Sequence, residues 1–210
     1  MRRGWRIGFT VGAALAACLV AGLPGDAAAQ RIIPQIGLYV PVSDLGRIGG
    51  VDGAIDLGKK ESSRAYGLGI EWGAGGSIGI RGNVVYASPS EVPLDGITCG
   101  TCASRSAMAA LTGGVVLRPF RLFFIEPYFV GGVGYKRYDF TSSDFDEGFD
   151  LVVDDRTERT YQLAVGGELG LGILSGVIEI SDYVSRYQPT GFEAQRHHDF
   201  IVTIGIAFGG

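Results

Sequence analysis

The sequence predicts an all-β fold: a closed antiparallel up-and-down transmembrane β-barrel of eight strands, with short turns at one end and long loops at the other. Three observations predict it. Stretches with period-two alternation recur along the chain, and no stretch beyond the N-terminal segment repeats apolar residues at helical spacing. Short and long connections between those stretches alternate without exception. The face of each stretch opposite the bulky one is mostly glycine and alanine, not the charged covering that a water-exposed surface carries.

The N-terminus sets the compartment. Arg2, Arg3 and Arg6 precede an apolar run from Ile7 to Leu23, then Pro24–Gly25, then Ala27 and Ala29 at the small positions of an A-x-A cleavage site. This three-part pattern is a secretory signal, and residues 1–29 are expected to be removed. The apolar run is slightly short for a spanning helix, which needs about 20 residues. The "LAAC" at Leu15–Cys18 has the look of a lipobox, but the residues after Cys18 stay apolar through Leu23 and a better cleavage site follows.

The expected mature domain is 30–210. Losing three arginines and Asp26 takes the net charge from −4 to −6, so the chain has no basic footprint for nucleic acid. Glycine is abundant, 35 of 210 residues, without a collagen period. A hydrophobic share of 46% excludes a disordered chain.

The expected strands, in order, are Ile33–Val40, Ala65–Trp72, Ser77–Ala87, Ser106–Leu117, Phe124–Tyr138, Arg159–Leu169, Ser175–Tyr187 and His198–Phe208. "GAGG", "RPFRLF" and "GLGIL" are the short connections. "VSDLGRIGGVDGAIDLGKKESSR", "SPSEVPLDGITCGTCASR", "FTSSDFDEGFDLVVDDRTE" and "QPTGFEAQRH" are the long, polar ones. An even number of antiparallel strands gathers all short turns at one end, the layout of an outer-membrane barrel.

The direction of the apolar face follows from its opposite. Ala65, Gly67, Gly69 and Glu71 oppose Tyr66, Leu68, Ile70 and Trp72; Gln162, Ala164, Gly166 and Glu168 oppose Tyr161, Leu163, Val165, Gly167 and Leu169. Bare glycine suits the cramped interior of a small barrel, which has just enough room to be filled. The bulky face then meets lipid. Glu71, Arg81, Glu126, Lys136, Glu168 and Glu179 all fall on the small-residue face. Charges in such an interior pair or hold water, so a lumen charge network is expected, in which carboxylates outnumber bases. A proton or ion relay is the functional alternative. Trp72, Phe120, Phe123 and Phe208 gather near the short-turn end; Tyr86, Tyr135, Tyr161, Tyr187 and Phe200 gather near the other, as two aromatic girdles. Asp182 breaks the pattern. Alternation from Glu179 points it at lipid, unless a bulge re-aims it or it lies above the hydrocarbon.

Over nearly its full mature length the chain resembles the small bacterial outer-membrane β-barrel proteins of the OmpX/OmpA transmembrane-domain type. The resemblance rests on the signal, "PQIGLYVP", "PYFVGGVGYKRYDF", "EISDYVSRY" and the terminal "DFIVTIGIAF". It implies a monomer in the outer membrane, in contact with lipid and lipopolysaccharide and delivered by the barrel assembly machinery. In the family the last strand ends on an aromatic residue that this machinery reads. Here Phe208 is followed by Gly209 and Gly210.

The remaining chemistry is sparse. Cys99 and Cys102 form a C-x-x-C without a second pair or a nearby histidine, and export favours a small disulfide over a metal or redox site. Asp144, Asp146, Glu147, Asp150, Asp154 and Asp155 crowd the third long loop without the order of a calcium loop. They read as a solvated acidic loop or a weak divalent-ion site. His197 and His198, with Ser185 as a strand neighbour, raise a lipid A deacylase reading, but no H-x-S pattern accompanies them. No cofactor, metal site or catalytic residue is assigned. The expected role is a non-enzymatic membrane scaffold displaying its loops, with Arg137, Arg186 and Arg196 placed to touch lipopolysaccharide. A narrow porin-like channel or hydrophobic-solute conduit is the alternative.

Overall fold

The computed structural model describes residues 30–43, 46–50, 53–57, 60–73, 76–92, 94–95, 104–141, 156–171, 174–187 and 195–209. They form eleven strands: β1 (Gln30–Pro41), β2 (Gly46–Gly50), β3 (Gly53–Leu57), β4 (Ser63–Trp72), β5 (Ile78–Val92), β6 (Leu94–Asp95), β7 (Ser104–Leu117), β8 (Ile125–Thr141), β9 (Arg156–Leu171), β10 (Leu174–Tyr187) and β11 (Gln195–Phe208). Eight of them close a barrel in the order β1-β11-β10-β9-β8-β7-β5-β4. Every pairing is antiparallel, and the seam closes where Ile36 faces Ile204. The signal segment, Cys99, Cys102 and the acidic residues 144–155 lie outside the described residues.

Two features depart from the sequence expectation. The first two long loops contribute β2, β3 and β6, which form a three-stranded sheet of their own. These segments are five, five and two residues long, too short to carry a readable alternation. β5 also runs past Ala87 to Val92. Its register shifts between Ala87 and Ser90, which lets the strand pass Pro89, a residue with no N–H for the ladder.

The barrel is inside-out. Leu68 is 38% exposed, Ile80 62%, Leu163 62% and Ile204 57%. Their strand neighbours Glu71, Arg81, Gln162 and Thr203 are buried. Glycine permits close approach of the wall strands. A Cβ on Gly134 would strike the carbonyl oxygen of Leu111. The centre is nevertheless not empty. Tyr39, Tyr128, Tyr138 and Tyr183 are buried there with Ile33, Met108 and Ile201.

Candidate functional site

Polar side chains fill the lumen in three layers. At the short-turn end, Arg81 of β5 donates from Nε and Nη2 to Glu71 Oε2 on β4, at 3.0 and 2.8 Å. Its Nη1 donates to Glu179 Oε2 on β10 at 2.6 Å. One guanidinium thus spans the barrel, and the Tyr128 ring stacks 4.8 Å from it. Glu179 also accepts from Tyr128 Oη and Ser181 Oγ, each at 2.8 Å. Arg118, in the turn after β7, bonds the second oxygen of Glu71. Arg31 of β1 grips Glu168 of β9 with two bonds of 2.7 Å. Glu126 sits at the rim, half-buried, 3.8 Å from Arg118 and 3.5 Å from Arg121.

The middle layer is uncharged. Gln162 accepts from Thr112 Oγ1 at 2.6 Å and from Asn83 Nδ2 at 3.2 Å, and its own amide donates to Tyr183 Oη at 3.3 Å. The layer nearest the long loops centres on Asp199 of β11. It is ion-paired with Lys136 of β8 and accepts bonds from Tyr138 and, at 2.5 Å, from Tyr39.

Lys60, on the stretch leading into β4, drops into this end. Its ammonium lies 4.9 Å from the Tyr39 ring centroid and 5.5 Å from that of Tyr138, with no hydrogen-bond partner among the described residues. Burial pushes its pKa down to about 8, against the attraction of Asp199 and with the repulsion of Lys136.

The sequence reading missed Arg31, Arg118, Asp199 and Lys60. Arg31 and Arg118 lie just beyond the strand limits that alternation suggested, and they supply the bases that the strands lacked. Nothing in the sequence marks the inward tyrosines, because tyrosine also forms the outer girdles.

Outside, Tyr86, Phe120, Tyr135, Tyr161 and Phe208 are exposed, while Trp72 and Phe200 are half-buried. Phe123 sits at the tip of the Leu122–Ile125 turn with a positive φ of 52°, which a bulky residue adopts only under strain. Tyr187 ends β10, and its side chain is outside the described residues. Asp182 lies in an unbroken stretch of β10, facing Leu163 and Phe200, so no bulge re-aims it. It remains on the outer wall, where its Oδ2 shares a hydrogen bond of 2.8 Å with His198 Nδ1. Ser185 and His197 are buried, facing each other across β10 and β11. Ser185 and His198 therefore stand on opposite faces of the wall. Arg137 bonds Asp139 at 2.5 Å; Arg186 and Arg196 are exposed and face each other directly.

Comparison with protein-family models and with curated proteins gives no match to the sequence. Solved structures do match. Neisserial surface protein A superposes with a TM-score of 0.57 at 4% identity, over 86% of this chain and 97% of that one. The fold is that of a small outer-membrane β-barrel. OprG of Pseudomonas aeruginosa (TM-score 0.49, 16% identity, 86% of this outer-membrane-type barrel and 95% of OprG) also matches. So does Ail, the attachment invasion locus protein of Yersinia pestis, with a TM-score of 0.49, 14% identity and coverage of 86% and 99%.

Proposed function

We propose that this barrel is an integral protein of the bacterial outer membrane, a non-enzymatic scaffold that holds its long loops at the cell surface. The observation that carries the reading is the inside-out burial: a continuous apolar wall around a polar, hydrogen-bonded centre. In water such a wall is an aggregation surface; in a bilayer it is the required solvent contact. The span from Glu71 through Arg81 to Glu179 supports a lumen closed to solutes. The same bonds favour a structural network over an ion relay, because Glu71 and Glu179 are already held by the fixed Arg81 guanidinium. Arg186 and Arg196 are the residues proposed to meet lipopolysaccharide phosphate. Arg137 is less available, being bonded to Asp139.

Two measurements test this. Outer-membrane fractions run unboiled and boiled on a gel should show a mobility shift, the mark of a detergent-resistant barrel. Planar-bilayer recording of the protein should give no stable ohmic step. A reproducible step would replace the scaffold with the channel.

A further inference from the structure

The wall across β8, β9, β10 and β11 holds a groove of about 470 Å³ on its lipid side. Phe129, Leu163, Val165, Ile180 and Phe200 line it, and Asp182 is the one charged group among the described residues that line it. Gly131 forms part of the floor, with open space where a side chain would stand. Asp182 Oδ2 is satisfied by His198, but Oδ1 is buried and has no partner among the described residues. An ionisable group at membrane depth is costly, and an orphaned acceptor there points to something that donates to it.

Above this groove the wall changes character. Arg186 and Arg196 are directly opposed across β10 and β11. Thr160 faces Ser185, which brings Arg159 beside Arg186 on the same outward face. Among the described residues none of the three has an ion-pair partner. Like charges directly opposed repel unless an anion lies between them. Asp182 and Arg186 are four residues apart on one strand, roughly 13 Å.

Apolar groove, free acceptor and arginine row therefore follow one another along a single line toward the long-loop end. We propose that this line binds one membrane lipid: its phosphate on Arg159, Arg186 and Arg196, an N–H or O–H of its headgroup-to-chain linkage on Asp182 Oδ1, and its acyl chain in the groove over Gly131. The proposal rests on the outer-membrane reading above and names the chemistry that the site selects. An ester-linked lipid offers no donor to Asp182; an amide-linked or hydroxylated one does.

Native mass spectrometry of the detergent-purified protein separates the parts. The probes are ceramide 1-phosphate, which has phosphate, amide and hydroxyl, and phosphatidic acid, which has phosphate and esters only. Wild-type protein should retain ceramide 1-phosphate about tenfold better, the size of one hydrogen bond to a charged group. Asp182→Leu should erase that preference while leaving the barrel heat-modifiable. Gly131→Leu, which fills open space, should weaken ceramide 1-phosphate retention as well. Equal retention of both lipids by the wild type, or a preference that survives Asp182→Leu, overturns the proposal and leaves the arginine contact standing. Retention of both lipids unchanged in the Arg186→Gln/Arg196→Gln double variant overturns the phosphate contact, here and in the lipopolysaccharide reading alike.

Discussion

Arg31 on β1 and Glu168 on β9 meet through two parallel bonds of 2.7 Å, although 137 residues separate them in sequence. Both side chains are almost fully buried. Removing one partner leaves an uncompensated charge. Arg31→Met should therefore destabilise the barrel by about 3–5 kcal/mol. The double variant Arg31→Met/Glu168→Met should recover most of that loss. Urea unfolding in detergent, followed by gel mobility, measures both.

Glycine on the two faces should behave oppositely. Gly134→Ala drives a methyl into the Leu111 carbonyl, so the strands must separate and heat-resistant barrel should be lost. Gly131→Ala meets nothing within 4 Å and should leave the gel mobility of the folded form unchanged.

Lys60 gives the stability a pH dependence. Its folded pKa, about 8, lies below the ordinary 10.5. Below the folded value both states carry the proton and the full burial cost is present. Between the two values the unfolded chain binds more protons, so stability rises with pH. The gain should be about 3 kcal/mol across that window. Lys60→Met should be more stable than wild type at pH 7, and the difference should vanish by pH 10.5. Comparing the two urea midpoints at each pH removes the titrations that do not involve Lys60 or its neighbours Asp199 and Lys136.

The outward belt predicts a solvent-specific penalty. Leu163→Lys places a charge on the lipid face and should cost about 2–4 kcal/mol in a bilayer if the position lies near mid-depth. Refolding yield into lipid vesicles should fall, while the outward Arg186→Lys at the rim should refold like wild type. Equal yields for all three proteins would contradict the orientation of the wall.

The two-residue period made the wall legible, because each strand contrasts bulky with small residues over most of its length. Leu163 against Gln162 is the pattern in miniature. The limits of the strands were harder. Alternation gives no reason to continue through Ser88–Pro89, and a register shift is a property of two strands at once. The lumen was legible on the strands and invisible beyond them: Glu71 was placed, while the Arg118 that holds its second oxygen sits in a turn. Asp182 stood out as an anomaly, but its partner lies 16 residues away on the next strand. No local spacing rule connects them.

The join between the first and last strands carries a cost in time. Until Phe200 has faced Val40, the N-terminal and C-terminal edges each present a row of unpaired amides and carbonyls. That contact spans nearly the whole domain, and pairings of such long sequence separation are slow to form. A chain in transit must keep two adhesive ribbons from finding the wrong neighbour, and the completed cylinder is the first state in which its eight wall strands have no edge left to offer.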